Sequence, residues 1–395
     1  METIRVSRFM PQRTYRWERS RYLWSQHLNK YLSNYRIEVN PESNAPCDVL
    51  LIPYPHYPGK DIKAYAFTAP LRTDYRGELE FQNTPVLVDS SSDYPYLTPE
   101  LLSILALPNV RHYVHGVAYR DMAVHRRRMI GNEYHAHVYQ NRVVYNTGPD
   151  TRPNRPELAP EILAKVAPLI RPPTQPFTDE VFEYIKRNIK PLKDRSLDIS
   201  FSGRTTYSKS VNYSVPTLQR RKLRKIWNSL PGKNKFFLGY DDGHGKTCDG
   251  KPIKPLDYPY EYLSKLLDTK VVISPWGFSA WCIRDLEALA CGCIVIKPEC
   301  SSVVISPDIY NPAANLVLWC DIQFEGLGDQ LTYCYSHLDE LQERADRGSK
   351  TVFDAYYPND KLYLSWTSSM RSLLENCIEK HAYSPLSGSF YDVSF

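Results

Sequence analysis

Two short β-branched runs, Val271-Val272-Ile273 and Ile294-Val295-Ile296, bracket residues 274–293, and what lies between them limits the folds open to this chain. Residues 280–290 place apolar side chains at helical spacing and close on Gly292, so 270–298 reads as strand, turn, helix and strand. Parallel strands joined by a crossover helix belong to sheets covered on both faces, which makes the chain an α/β protein. Ile283, Leu286, Leu289 and Ala290 are expected to face the sheet, leaving Arg284 and Glu287 beside the turn or along the helix flank. The turn Ser274-Pro275-Trp276-Gly277-Phe278-Ser279 falls at a strand's carboxyl end. Open α/β sheets hold ligands there, against helix N-termini whose N–H groups favour phosphate.

Further βα alternation flanks this unit. Residues 3–6, 36–39, 49–52, 86–88 and 110–117 read as strands, with helices over 15–32 and 98–107. Proline then crowds the chain from Pro149 to Pro176, which suits a stiff connection. Beyond it come a helix over 178–189, a strand over 197–201 ending in Ser202-Gly203-Arg204, a basic amphipathic helix over 217–230, and a strand over 236–238 ending in Gly239-Tyr240. A helix over 260–267 precedes the organising unit. A strand over 315–319 and helices over 327–347 and 361–381 follow it. With 395 residues, two domains are expected: residues 1–170, a linker over 171–196, a second domain over 197–357, and a C-terminal helix and tail over 358–395.

The charge of +5 is modest for this length and its bases are scattered, which argues against a nucleic-acid protein. Arg220 to Lys225 is one of two dense basic clusters, and a solvated helix face explains it as well as a polyanion site does. Nine cysteines are present. Cys291 and Cys293 have the wrong gap for a zinc knuckle and no nearby His, so they read as small buried residues in a reducing compartment. The N-terminus lacks an apolar targeting core and no run is long enough to span a membrane, so a cytoplasmic location is expected.

Residues 198–357 resemble the C-terminal domain of GT-B fold glycosyltransferases. The segment 274–296 is similar to the signature of exostosin-like and group 1 type enzymes: a strand ending in Pro-x-Gly, an Arg three residues before a Glu on the next helix, and a Gly-Cys turn into an apolar strand. Pro275, Gly277, Arg284, Glu287, Gly292 and Cys293 occupy those positions. The resemblance implies two Rossmann-like domains facing across a cleft, with C-terminal helices packing back on them. It also implies a nucleotide-sugar donor held by the second domain and an acceptor approached from the first.

On that reading Glu287 accepts hydrogen bonds from a ribose diol. The turn residues Ser274, Gly277, Phe278 and Ser279 approach the diphosphate, with Arg204 and Arg284 as forked partners for it. Trp276 or Tyr240 would stack on the base, and ordinary core packing is the competing explanation for both. Group 1 retaining enzymes carry a second Glu where this chain has Ser279, so an inverting reaction is favoured. It needs a general base from the first domain, and Asp89, Asp93 and His115 at strand ends are the candidates, although strand-end Asp residues also serve as caps. No Asp-x-Asp or His/Asp cluster is evident in the sequence, so no metal or other cofactor is expected, with Asp241-Asp242 as the exception to watch. The expected activity is sugar transfer from a nucleotide-diphosphate sugar, a UDP-sugar first, to a hydroxyl of a glycan or glycoprotein. A sugar-nucleotide epimerase or hydrolase, or a non-catalytic sugar-binding protein, is the alternative.

Overall fold

The structure is a computed structural model, and it describes residues 4–8, 38–40, 48–53, 85–90, 104–115, 118–120, 159–168, 177–205, 214–241, 244–254, 256–277, 280–358 and 370–378. The chain divides into two compact units. One comprises Met1–Gly131, Asn154–Pro172 and Leu362–Phe395; the other comprises Asn132–Pro153 and Pro173–Lys361. The candidate helix over 15–32 and the prolines from Pro149 to Pro156 lie outside the described residues.

The first unit is built on a parallel sheet of six strands: β1 (Arg5–Arg8), β2 (Glu38–Asn40), β3 (Val49–Pro53), β4 (Val86–Ser90), β5 (Val110–His115) and β6 (Val166–Pro168). They lie in the order β2-β1-β3-β4-β5-β6. Consecutive Val86, Leu87 and Val88 are fully buried. Neighbouring residues of a strand point to opposite faces, so this sheet is covered on both sides. Strand β6 falls inside the proline-rich stretch that reads as a connection in the sequence. Among the described residues it pairs only with β5, at the sheet's edge, where a proline costs no ladder hydrogen bond. Residues 370–378 are helical and group with this unit, burying Met370, Leu373, Leu374 and Cys377.

The second unit has a seven-stranded sheet. Its members are β7 (Leu197–Arg204), β8 (Lys235–Asp241), β9 (His244–Lys246), β10 (Pro252–Ile253), β11 (Thr269–Ile273), β12 (Ile294–Pro298) and β13 (Val317–Cys320). Their order is β10-β9-β8-β7-β11-β12-β13. Strands β8, β7, β11, β12 and β13 run parallel, while β9 and β10 extend the edge as antiparallel ribbons. Chain order along the parallel part reverses between β7 and β11. That topological switch point is where the loops after two neighbouring strands diverge to opposite faces and leave a crevice.

Among the described residues six helices complete this unit: α1 (Asp179–Asn188), α2 (Ser214–Ile226), α3 (Tyr260–Leu267), α4 (Ile283–Ala290), α5 (Leu327–Ser336) and α6 (Leu338–Tyr356). Thr178 caps α1, its hydroxyl accepting from the Val181 N–H at 3.3 Å. The single helix expected over 327–347 is two. Ser336 Oγ turns back onto the carbonyls of Thr332 and Tyr333 at 3.0 Å, competing with helix continuation, and α6 restarts after His337. Ile199, Phe201, Leu223, Trp227, Phe237, Val271, Ile273, Ile294 and Ile296 form one core on the face covered by α2. Among the described residues no helix is long and apolar enough to cross a membrane.

Helix α4 departs from its expected amphipathic form. Every residue from Arg284 to Ala290 is buried, because α6 packs at Leu289 and Ala290 while Phe201, Tyr258 and Tyr262, and the Asp285 partners Ser274, Lys297 and Tyr310, enclose the charged residues. The approach is close: a Cβ on Gly348 of α6 would lie 2.8 Å from Leu289 Cδ2, and Ser349 Oγ donates to the Ala290 carbonyl at 2.9 Å. The helix also begins later than residue 280. The Asp285 carboxylate accepts from the Cys282 N–H at 3.2 Å, which makes Cys282 the cap and Ile283 the first helical residue.

Candidate functional site

A cavity of about 310 Å³ lies at the carboxyl end of the second unit's sheet, beside the switch point. Ser202 near the end of β7, Tyr240 near the end of β8, Leu256, Tyr258 and Tyr262 ahead of and within α3, and Ile283, Arg284 and Glu287 on the first turns of α4 line it. The βα alternation sends these segments to one edge. A strand end supplies Ser202, its neighbour supplies Tyr240, and the helix after β11 supplies the two charged groups.

Glu287 is 3% exposed. The Tyr258 hydroxyl donates to Glu287 Oε1 at 2.9 Å, and the Tyr262 hydroxyl also bonds its carboxylate. Burial pushes the Glu287 pKa above the usual carboxylate range, while the two hydroxyls and the Arg284 guanidinium act in the opposite sense. In turn burial, and then the negative charge of Glu287, raise the Tyr258 and Tyr262 phenols. A half-exposed Tyr258 therefore has its hydroxyl anchored in the interior and its ring at the cavity wall.

The Arg284 guanidinium is held between a ring and a glycine. Its Cζ lies 5.0 Å from the Phe201 ring centroid, and a Cβ on Gly203 would fall 2.1 Å from its Nη2. Only a residue without a Cβ lets the guanidinium cross the β7 backbone at that point. The site thus pairs one buried cation with one buried carboxylate among three tyrosines. Chemically it suits a ligand with a flat or apolar body, hydroxyls for the carboxylate and negative charge for the guanidinium.

Of the donor-side residues expected from the sequence, the structure brings Tyr240, Arg284 and Glu287 to this cavity. It places others elsewhere. Ser274 is fully buried, its hydroxyl donating to Asp285 Oδ1 and its N–H to the Ile296 carbonyl at 2.8 Å, so it points into the core. Trp276 is 2% exposed and its indole N–H donates to the Pro298 carbonyl at 3.1 Å. The indole therefore packs inside instead of presenting a face for a base, and of the two explanations weighed for it the structure takes core packing. Gly277 is buried in the turn, and Arg204 has an exposed side chain at the end of β7 that does not line the cavity. Phe278 and Ser279 lie outside the described residues.

On the first unit, Asp89 and His115 sit at the carboxyl ends of adjacent strands. Asp89 is in register with Val114 and Ser90 with His115. Asp93 lies outside the described residues, as does Asp242. Among the described residues no group of three His, Cys, Asp or Glu side chains is arranged to hold a metal ion.

Several functional-site residues escape a reading of the sequence. Tyr258 and Tyr262 stand four apart before and within α3, a spacing that puts both on one side, yet aromatic residues are so frequent here that the pair does not stand out. Asp285 and Lys297 are fully buried and 2.9 Å apart, beneath the Ser274–Gly277 turn. The Tyr310 hydroxyl donates to the same carboxylate. Their signal was a charge inside each of two apolar runs.

No protein-family model matches the chain, and no curated protein matches it. Among solved structures it is similar to an α1,3-fucosyltransferase, at 13% identity over 96% of this chain and 92% of that one with a TM-score of 0.42. It is also similar to the sucrose-phosphate synthase of Thermosynechococcus elongatus, at 10% identity over 96% and 100% with a TM-score of 0.46. The O-GlcNAc transferase of Thermobaculum terrenum matches at 12% identity over 96% of this chain and 69% of that chain, with a TM-score of 0.42. Likeness at this level gives no residue a role.

Proposed function

We propose that this protein is a glycosyltransferase that takes a sugar from a nucleotide-diphosphate donor, a UDP-sugar first, and passes it to a hydroxyl of a glycan or glycoprotein. One observation carries the reading: Glu287, in a segment that resembles the glycosyltransferase signature, is a buried carboxylate at the wall of a tyrosine-lined cavity beside the switch point. Its two oxygens suit a ribose diol, and Tyr240, Tyr258 and Tyr262 suit the flat body of a nucleoside. Arg284 supplies positive charge on the side where the diphosphate leaves, and stabilising a leaving diphosphate is the largest electrostatic demand of such a reaction.

The first unit contributes the acceptor side of this proposal. Asp89 and His115, on neighbouring strand ends, are the described candidates for the general base of an inverting transfer. No metal is assigned a part.

The test is nucleotide release from a panel of UDP-, GDP- and other nucleotide sugars, with and without glycan acceptors, for the native protein and Glu287→Gln. Release that depends on acceptor and drops with Glu287→Gln supports transfer. Acceptor-independent release or epimer formation assigns hydrolase or epimerase chemistry instead, and tight donor binding without turnover assigns a binding protein.

A further inference from the structure

Helix α2 reads in sequence as a basic helix, a solvated face or a polyanion site, but two of its residues turn into the switch point. Arg220 is 1% exposed. Its Nη1 donates to the Arg204 carbonyl at the end of β7, while its Nε and Nη2 donate to the Trp276 carbonyl at 3.2 and 2.9 Å. Gln219, also 1% exposed, holds the other side of the same residue: its Oε1 accepts from the Trp276 N–H at 3.0 Å, and its Nε2 donates to the Ile322 carbonyl at 3.2 Å. One guanidinium therefore bridges the two loops whose divergence makes the crevice, and the neighbouring amide fixes the second loop's backbone.

We propose that Arg220 is a positioning residue for the phosphate-bearing end of the ligand, setting the width of the crevice between the Arg204 and Trp276 loops and the direction of the donors along it. The proposal rests on the nucleotide-sugar reading above. A trans peptide points its carbonyl and its following N–H in opposite directions. With the Trp276 carbonyl drawn onto Arg220, the Gly277 N–H is turned away from α2, to the far side of that peptide. The Arg220 side chain also approaches the place where Arg284 crosses β7, since a Cβ on Gly203 would lie 3.7 Å from Arg220 Nη1 and 2.1 Å from Arg284 Nη2. Two guanidinium groups thus approach one glycine at that end of the crevice, and an anionic group placed there would meet both. Arg220 is not part of the lining of the nucleoside end, at Glu287 and the tyrosines, so the two ends of the ligand separate the effect.

The experiment is calorimetric titration of UDP and GDP against uridine and guanosine, on the full chain and on Arg220→Lys and Arg220→Met, with denaturant midpoints measured alongside. Arg220→Met should lose about tenfold or more of the gain that the diphosphate adds over the nucleoside, the weight of one lost charge-assisted network, with nucleoside affinity within about twofold of native. Arg220→Lys keeps the charge but cannot fork to both carbonyls, so it should show a smaller loss of the same kind and remain available should the methionine variant fail to fold. An unchanged ratio of diphosphate to nucleoside affinity in both variants overturns the proposal, as does a parallel fall in both affinities that tracks lost stability. A native protein that binds none of the four ligands removes the nucleotide-sugar reading itself, whereas native binding with an unchanged ratio in the variants removes the positioning role alone.

Discussion

Replacing Gly203 by alanine tests the placement of Arg284 without touching any polar group. The added Cβ would stand 2.1 Å from Arg284 Nη2 and 3.2 Å from its Cζ, so the guanidinium has to retreat by about 1.3 Å to reach the 3.4 Å of ordinary contact. It retreats from its place over the Phe201 ring, giving up part of a cation–π contact of about 0.5–2 kcal/mol. Because the obstructing atom ends a flexible side chain, stability should fall by only about 1 kcal/mol, visible as a small shift in the denaturant midpoint. Ligand affinity should fall further. A charge-assisted hydrogen bond contributes about 1.5–3 kcal/mol and does not survive a shift of that size, so nucleotide affinity should drop about 10- to 100-fold by calorimetric titration. The decisive comparison is a double-mutant cycle with Arg284→Met. If Arg284 transmits the effect, Gly203→Ala should cost almost nothing further in the Arg284→Met background. Two losses that simply add, or native affinity in Gly203→Ala, would refute the placement.

Three further outcomes follow from the same geometry. Glu287→Gln keeps the shape of the cavity and removes the charge, so nucleotide affinity should fall about tenfold or more while the same change measured with a 2′-deoxynucleotide should be smaller; equal losses for both would separate Glu287 from the ribose. Lys297→Met strands the Asp285 carboxylate in a fully buried place, which should cost about 3–5 kcal/mol in chemical denaturation, whereas Lys297→Met combined with Asp285→Leu should recover much of it. His112 is buried on β5, and burial followed by the charge of Arg111 lowers its pKa from 6.5 to about 4. A lowered His pKa means the unfolded chain takes the proton first, so its contribution to stability is complete above about pH 6.5 and declines as pH falls towards 4, by up to about 3 kcal/mol in all; His112→Asn should flatten the stability profile over that window, and an unchanged slope would show that the group does not report on folding.

How much of this was legible before the fold was known depends on what each residue's neighbours happened to be. Strands β11 and β12 announce themselves because a parallel strand covered on both faces is apolar throughout, and a run of such residues has few other uses. The switch point was legible in outline too, since Ser202-Gly203-Arg204 and the Ser274–Gly277 turn both follow such runs. Side-chain direction was not. Periodicity leaves Arg284 and Glu287 beside the turn or along the flank of α4 and does not foresee their burial, which comes from Phe201 and Gly203 on β7 and from Tyr258 and Tyr262 ahead of and within α3. For Trp276 the sequence left base stacking and core packing equally open, and the Pro298 carbonyl decides for packing by accepting from the indole N–H. Arg220 lies among Arg221, Lys222, Arg224 and Lys225, and nothing local marks it as the member of that run that turns inward.

The buried charged residues around the turn share a cause. Arg220, Arg284, Asp285, Glu287 and Lys297 are all buried, and all belong to β12, to α4 or to the helix that clamps the turn between β11 and α4. A chain free to choose apolar residues there would lose little stability, because a buried ion pair rarely outperforms a well-packed hydrophobic pair. What apolar residues cannot do is aim backbone carbonyls and hold a helix start at one rotation. Asp285 gathers Ser274, Tyr310, Lys297 and the Cys282 N–H onto one carboxylate, fixing where α4 begins. Because Arg284 and Glu287 lie on the first turns after that point, an error of one residue in the helix start would rotate both by about 100° and carry them out of the cavity. The polar interior is thus best understood as the mechanism that converts a generic βαβ crossover into a site with one geometry, and its members should prove sensitive in ligand affinity beyond their effect on stability.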